Sequence, residues 1–458
     1  MLEGKKCLVI GSGVSGIGAV VLLEKNHADV VLYDSSDKLT KEDLEAKLPG
    51  ESKAVCIAGE LPEEVELSIQ AAVLSPGVPT DIPLVNRMRD RGVQILGEIE
   101  LGFLAEQGRV IAITGTNGKT TTTTLTGEIM KAYFGKDKTF VVGNIGNPYT
   151  LEADKTSKDS VTVGEISSFQ LETIHTFHPV VSAILNITPD HLNRHHTMEA
   201  YVAAKEAVAS HQTKNDICVL NYDNDYTRDF AGRCPATPVL FSSHHELENG
   251  YFLRGDKIIK SVNGEETELM DIHKDMNLVG LCNVENVMAA IAIAEGMQVP
   301  METILTVIRG FHAVEHRIEF VATKGGVDYY NDSIASSPSR TIAGLRSFEK
   351  KVILIAGGYD KHVPYDSLGP EITRAVKVLI LVGATAPKIK QAVLDAPDYR
   401  TGEPVILERE TLGEAVNTAY DMARPGDVVL LSPASASFDH FRNFMVRGDA
   451  FKKTVMEL

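Results

Sequence analysis

An apolar strand that runs into a glycine loop and then straight into a helix leaves few folds open. Residues Ile111-Ala112-Ile113-Thr114-Gly115-Thr116-Asn117-Gly118-Lys119-Thr120 have that form. The strand must be buried, the loop must turn tightly, and the helix must start where the loop ends. Successive backbone N–H groups in such a loop can cradle phosphates, Lys119 can neutralise the β- and γ-phosphates, and Thr120 can ligate Mg²⁺. The spacing departs from G-x-x-x-x-G-K-[ST], because Ile113 stands where the first glycine belongs. The combination of apolar strand, lysine and threonine points to ATP.

The same rhythm runs along the chain. Short β-branched runs at Lys6–Ile10, Val30–Tyr33, Ala54–Ile57 and Ala72–Leu74 alternate with helical patterns such as Gly16–Lys25 and Leu84–Arg91. From Glu98 a second block has strand candidates at Val110–Thr114, Phe140–Val142, Ser160–Val163, Val180–Leu185, Ile217–Leu220 and Val239–Phe241, closed by helices at Val284–Met297 and Met301–Arg309. The stretch Tyr251–Leu269, with Gly255 and Gly264 at turns, reads as an antiparallel insert. A third block has strands at Val327–Tyr330, Val352–Ile355, Val378–Val382, Val405–Leu407 and Val428–Leu431. Its helices include Thr341–Ser347, Leu412–Met422 and one at the C-terminus. Strand–helix alternation of this kind predicts three consecutive α/β domains with mainly parallel sheets: a Rossmann-like one at 1–97, a central P-loop one at 98–313 and a second Rossmann-like one at 314–458. The 458 residues suit two to four domains.

Composition narrows the function classes. Lys plus Arg is 45 against 62 Asp plus Glu, a net charge of −17, which argues against nucleic-acid or anionic-membrane partners. No apolar run reaches the roughly 18–20 residues of a membrane span, and Met1-Leu-Glu-Gly-Lys-Lys-Cys7 does not resemble a signal peptide. Cys7, Cys56, Cys218, Cys234 and Cys282 are scattered and form no C-x-x-C, which fits a reducing cytoplasm.

Other segments carry candidate chemistry. Gly11-Ser12-Gly13-Val14-Ser15-Gly16 matches G-x-G-x-x-G between a strand and a helix, and Asp34 ends the next strand. An NAD site, a site for another pyrophosphate ligand and a plain turn all remain open for it. Glu165 ends a central strand and is either a Mg²⁺ ligand or a surface carboxylate at a helix start. Ser167 and Gln170 can form a capping box after it. His191, after Pro189-Asp190, is a metal ligand or a loop histidine beside His195 and His196. Lys205 by itself reads as a solvated helix lysine. Asp360-Lys361 and Ser432–Phe438 follow strand ends, where an open α/β sheet binds ligands or simply turns. There is no Gly-x-Ser-x-Gly elbow and no evident Cys/His nucleophile pair.

Together these segments resemble the Mur ligases. The Gly-Thr-Asn-Gly-Lys-Thr loop is shared with folylpolyglutamate synthases. Sharper pieces are Ser75-Pro76-Gly77, Gly143-Asn144-Ile145-Gly146, Glu165–Glu172, His316-Arg317-Ile318-Glu319, Asn331-Asp332-Ser333, Ala356–Lys361 and Leu431–Phe441, followed by Phe444 and Arg447-Gly448. The resemblance spans essentially the whole chain. It implies a cytoplasmic, monomeric enzyme of peptidoglycan-precursor synthesis that uses ATP and Mg²⁺ to join D-glutamate to UDP-N-acetylmuramoyl-L-alanine through an acyl phosphate. Related ligases adding a different amino acid are the alternative. A non-ligase ATPase and a dinucleotide-dependent oxidoreductase are the readings outside the family.

The resemblance also implies roles. Gly13, Val14, Ser15, Gly16, Asp34, Ser35, Ser75 and Asn144 would hold the UDP substrate, which makes the first glycine turn a diphosphate site. Gly115, Thr116, Asn117, Gly118, Lys119, Thr120, Thr121, Asn283, Asn286, Arg317 and Asp332 would hold ATP. Thr120, Glu165, His191 and a carbamylated Lys205 would hold Mg²⁺, with Lys119, Glu165, His191 and Lys205 as the catalytic set. Lys361, Ser437 and Phe444 would hold D-glutamate.

Overall fold

The computed structural model describes residues 2–348 and 350–458. The chain forms two compact units, one running up to Asp275 and resuming over Glu285–Arg309, the other comprising 276–284 and 310–458.

The first unit holds two sheets. The first consists of β1 (Lys6–Ile10), β2 (Asp29–Asp34), β3 (Val55–Ala58), β4 (Ala71–Leu74) and β5 (Gln94–Gly97), in the order β3-β2-β1-β4-β5 and all parallel. Its strands are near-continuous apolar runs because both faces are covered. Cys7 and Val9 pack with Leu22 and Leu23 on one side, and Leu8 and Ile10 with Val85 and Met88 on the other. The edge strand β5 lies where the sequence rhythm marks only the start of the second block.

The second sheet consists of β6 (Arg109–Thr114), β7 (Thr139–Gly143), β8 (Val161–Glu165), β9 (Val181–Ile184), β10 (Ile217–Asn221), β11 (Thr237–Ser242), β12 (Gly250–Arg254), β13 (Lys257–Val262) and β14 (Glu265–Asp271). Its order is β14-β13-β12-β11-β10-β9-β6-β8-β7. The stretch expected to be an antiparallel insert is antiparallel and continues this sheet: β12 pairs parallel with β11, and β13 and β14 follow antiparallel. Two tight turns at Gly255 and Gly264, both with positive φ, permit the meander.

The second unit holds β15 (Glu319–Lys324), β16 (Val327–Asn331), β17 (Val352–Gly357), β18 (Val376–Val382), β19 (Val405–Glu408) and β20 (Val428–Leu431), in the order β15-β16-β20-β17-β18-β19. All pairs are parallel except β15 with β16. The edge strand β15 is solvated over much of its length, so it lacks the buried apolar run that marks the other strands in the sequence. The helix Leu412–Met422 has the bounds expected from the sequence. Thr411 accepts from Glu414 N and Glu414 reaches back to Thr411 N, a full capping box.

In each sheet the strand order reverses direction once next to a central strand. The reversal lies between β1 and β4, between β6 and β9, and between β17 and β20. The loops leaving those strands diverge there and open a crevice at the carboxyl edge.

Candidate active site

The loop after β1 turns at Gly11, whose φ is +98°. Ser75, leaving β4, donates from its backbone N to Ile10 O and from Oγ to Gly11 O at 3.1 Å. A Cβ on Gly16 would stand 1.9 Å from Gly11 O, so only glycine lets the helix start against the loop. The result is a cleft of about 450 Å³ lined by Gly13, Val14, Ser15, Asp34, Ser75, Asn144 and their neighbours. Ser35 is exposed and outside this lining, and Gly16 shapes the loop from beneath. Asp34 Oδ2 accepts from Ser12 N at 3.0 Å and Ser12 Oγ at 2.6 Å, and Oδ1 accepts from Ser36 N. Burial alone would raise its pKa, yet these bonds and Lys47 hold it below the usual carboxylate value. The carboxylate therefore organises the glycine loop.

The loop after β6 has Gly115 and Gly118 at φ +149° and +84°. A Cβ at Gly118 would meet Asn286 Oδ1 at 2.2 Å. Asn186, leaving β9, braces the loop: Thr116 N donates to Asn186 O at 2.9 Å and Asn117 N to Asn186 Oδ1 at 2.8 Å. Thr116 Oγ1 bonds Thr188 O and shares a hydrogen bond with Tyr201 OH. Thr120 and Thr121 lie in the first turn of the helix Lys119–Phe134. Lys119 Nζ donates to Gly115 O at 2.8 Å and Thr116 O at 3.1 Å.

Lys205 is not a solvated helix lysine. It is 2% exposed, donates to the same Gly115 O at 2.8 Å, and lies over the Tyr201 ring. Burial, reinforced by the nearby Lys119 cation, pushes its pKa well below the ordinary lysine value, with Asp190 opposing. Glu165 ends β8 next to the phosphate loop, since Ile113 pairs with it across the sheet. It is 2% exposed rather than a surface carboxylate. Asn144 Nδ2 donates to its Oε1 at 2.7 Å, while Oε2 is buried without a hydrogen-bond partner. A buried carboxylate oxygen left open beside a phosphate loop fits a hard cation such as Mg²⁺. His191 sits half-exposed at φ +53°, packed on Phe169 at 4.9 Å between ring centroids. The Ser167–Gln170 capping box expected after Glu165 is present. Lys119, Glu165, Lys205, Asn186, Asn286 and Thr120 thus gather around one sheet edge of the first unit.

In the second unit, the loops leaving β17 and β20 are joined by Gly357 N to Pro433 O at 2.8 Å and Tyr359 N to Ala436 O at 2.9 Å. Lys361 follows on the first loop, exposed, and Ser437 on the second, buried. Ser333 Oγ donates to Phe444 O at 2.7 Å. Arg447, also buried, donates to Ser333 O and Oγ, Ser435 O and Ala436 O, which fixes the loop carrying Ser437. Burial lowers its pKa to about 10. Asp332 follows β16 and is 4% exposed. It accepts from Ser432 Oγ at 2.8 Å, and Arg317 acts on it electrostatically. Burial raises its pKa to about 7, against the opposing effects of Ser432 and Arg317. Asn283, in the same unit, donates from Nδ2 to Val279 O, and Asn286 belongs to the first unit. Sequence reasoning assigned no role to Asn186, Tyr201, Glu172, Arg194 or Arg447. For Asn186 the signal was available, since it leaves a strand adjacent to the phosphate loop. The others depend on side-chain contacts.

Three family profiles match the chain in order: the Mur ligase MurD-like N-terminal domain at 5–97, the Mur ligase middle domain at 113–294 and the Mur ligase glutamate ligase domain at 316–435. A protein of Lachnoclostridium phytofermentans named UDP-N-acetylmuramoylalanine–D-glutamate ligase is 48% identical, over 99% of this chain and 98% of its own length. The protein of the same name from Lachnospira eligens is 48% identical over the full length of both, and that from Clostridioides difficile 42% over 100% and 99%. Among solved structures, the UDP-N-acetylmuramate–alanine ligase MurC of Thermotoga maritima superposes with a TM-score of 0.59 at 17% identity, covering 99% of both chains. The MurF ligase of the same organism, in complex with ADP, gives 0.59 at 15% identity, covering 99% of this chain and 96% of its own. At that identity the two structures speak for the fold. The phosphate loop, the glycine cleft and the strand orders, taken with full-length relatives at 42–48% identity, have one reading: the chain belongs to the Mur ligase family.

Proposed function

We propose that this chain joins D-glutamate to UDP-N-acetylmuramoyl-L-alanine, an amide ligation driven by ATP that yields ADP and phosphate in peptidoglycan-precursor synthesis. The observation that carries it is the sheet edge where the Lys119 loop, the open Glu165 oxygen and the buried Lys205 amine meet, in the same unit as the glycine cleft. Gly13–Gly16, Asp34, Ser35, Ser75 and Asn144 serve the UDP substrate. Gly115–Thr121, Asn283, Asn286, Arg317 and Asp332 serve ATP. Lys361, Ser437 and Phe444 serve D-glutamate: a cation for a carboxylate, a hydroxyl and a packing wall. The segments 1–97, 98–313 and 314–458 are the three corresponding domains. The enzyme works in the cytoplasm as a monomer.

The L-alanyl carboxylate attacks the γ-phosphorus, the bond from that phosphorus to the β,γ-bridging oxygen breaks and ADP leaves, and the resulting acyl phosphate turns a poor electrophile into a good one. The D-glutamate amine, as the free base, then adds to the acyl carbon, its nitrogen loses a proton, and phosphate leaves from the tetrahedral intermediate. No protein nucleophile is required. Lys119 screens the charge that grows on the transferring phosphoryl group. Thr120, Glu165, His191 and Lys205 are the residues that would hold Mg²⁺, which would supply Lewis-acid stabilisation of the negative charge that builds up during phosphoryl transfer.

Lys205 enters this set as a carbamate. Burial lowers the pKa of this amine, which favours the neutral form that adds to CO₂: the N–C bond forms, one C=O pair moves onto oxygen and the nitrogen loses one proton. The product is an anion with two oxygens, the ligand type that a hard cation takes.

The test is phosphate release across a panel of UDP-muramyl substrates and amino acids. Turnover is expected only with UDP-N-acetylmuramoyl-L-alanine and D-glutamate together. Equal turnover with L-lysine or meso-diaminopimelate assigns the chain to another amino acid, and substrate-independent turnover makes it a plain ATPase. A change in nicotinamide absorbance is the readout for an oxidoreductase.

A further inference from the structure

Glu165 and His191 sit on two short segments whose register sequence spacing does not set. Glu165 is followed by the single turn Ser168–Leu171 and then Glu172, and His191 opens the single turn Leu192–His195. A non-glycine residue at φ +53° persists only where its surroundings over-determine it. We propose that Arg194 and Glu172 are positioning residues that lock the His191 turn both to the Glu165 segment and to the rim of the UDP cleft. The proposal rests on the ligase reading above.

The geometry is specific. Arg194 grips Glu172 with a two-pronged fork, Nη2 to Oε2 at 2.6 Å and Nε to Oε1 at 3.3 Å, and both side chains are largely buried. The same Nη2 donates to Val78 O at 3.1 Å, and Val78 lines the cleft between the β1 and β4 loops. The guanidinium lies 4.9 Å from the Phe169 ring, the ring on which His191 packs. The next residue, His195, shares a hydrogen bond with Ser168 Oγ at 2.9 Å and lies 3.5 Å from Glu172 Oε1. One guanidinium therefore touches the segment after Glu165, the turn that carries His191 and the strand-end loop of the UDP cleft. A planar fork fixes orientation as well as distance, which a lysine at this position cannot do. Residues that orient ligands in this way typically change metal affinity or activity by about 10–100-fold when removed.

The experiment uses the full chain with Arg194→Ala, Arg194→Lys, Glu172→Gln and the Arg194→Ala/Glu172→Gln double variant. Arg254→Ala, which breaks an exposed fork to Glu246 and Glu266, is the control. Mn²⁺ affinity is read by electron paramagnetic resonance with a non-hydrolysable ATP analogue and the UDP substrate. Turnover, KM and unfolding midpoints are read alongside. Expected are Mn²⁺ binding weakened about tenfold or more in each of the three single variants, kcat falling more than KM rises, and a double variant no worse than the poorer of Arg194→Ala and Glu172→Gln. Added guanidinium should restore part of the activity of Arg194→Ala and none of Glu172→Gln. Arg194→Lys keeps the charge and loses the fork, so it should show the same weakened Mn²⁺ binding, and it carries the test if the alanine variant fails to fold. Mn²⁺ affinity and kcat within twofold of wild type in folded Arg194→Lys and Glu172→Gln would overturn the proposal. If the wild type needs no UDP-muramyl substrate, the ligase reading fails while the Mn²⁺ comparison still decides the positioning role.

Discussion

Asp332 should make the protein's stability fall as pH rises through neutrality. Its carboxyl accepts from Ser432 Oγ, which also bonds Thr341 Oγ1, and a Cβ added at Gly344 would stand only 2.8 Å from Oδ2. Burial lifts its pKa from 3.8 to about 7, against the lowering by Ser432 and Arg317. The folded state then binds a proton that the unfolded state has released between those two values. Stability is therefore full below the unfolded pKa and is lost as pH climbs towards about 7. Three units at 1.36 kcal/mol each amount to about 4 kcal/mol. Asp332→Asn keeps the shape and cannot ionise, so relative to the wild type it should gain roughly that amount between about pH 3 and pH 8. The chain has no Trp, so far-UV circular dichroism in urea is the assay. Because there are two compact units, the quantity compared is the difference between variant and wild type at each pH. Parallel pH profiles for the two proteins would refute the reasoning. So would a wild type that gains stability over Asp332→Asn as pH rises.

Lys119→Ala should lower turnover by about 10²–10³-fold while calorimetry finds UDP-substrate binding unchanged, since Lys119 sits on the phosphate loop and the cleft is built by the β1 and β4 loops; wild-type turnover in the folded variant would remove the phosphate role. Lys205→Ala should fold and lose most activity, short carboxylic acids should restore part of it, and intact mass in bicarbonate should show a CO₂ adduct only on proteins that keep Lys205; full activity of the variant without bicarbonate contradicts the carbamate. Arg447→Met leaves the carbonyls of Ser333, Ser435 and Ala436 without this donor at roughly 1–3 kcal/mol each, partly offset by no longer burying a cation, so a net loss of about 3 kcal/mol is expected in the urea midpoint of the second unit. Gly16→Ala, whose Cβ would press on Gly11 O, should cost about 1–3 kcal/mol and weaken UDP-substrate binding; an unchanged dissociation constant would detach this turn from the substrate.

What the sequence determined by itself was local and periodic. Strand–glycine–helix runs announced the loops at Gly11 and Gly115, and Ser167 with Gln170 announced a capping box, because turn chemistry and caps act within a few residues. Two strands escaped: β5 spans only the four residues Gln94–Gly97, and β15 is partly solvated and lacks a buried apolar run. The meander at residues 250–271 was legible as antiparallel, but its joining to the main sheet was not, because strand order is a long-range choice. Tertiary structure alone decided which atoms meet. Lys205 looked like any helix lysine until burial beside Lys119 lowered its pKa and set its amine on Gly115 O. Glu165 gained its meaning from one oxygen held by Asn144 and the other left open. The fork of Arg194 on Glu172, reaching Val78 across 116 residues of sequence, leaves no trace in spacing. The physical reason is that desolvation and side-chain geometry depend on what packs around a group, and that packing joins segments far apart in the chain.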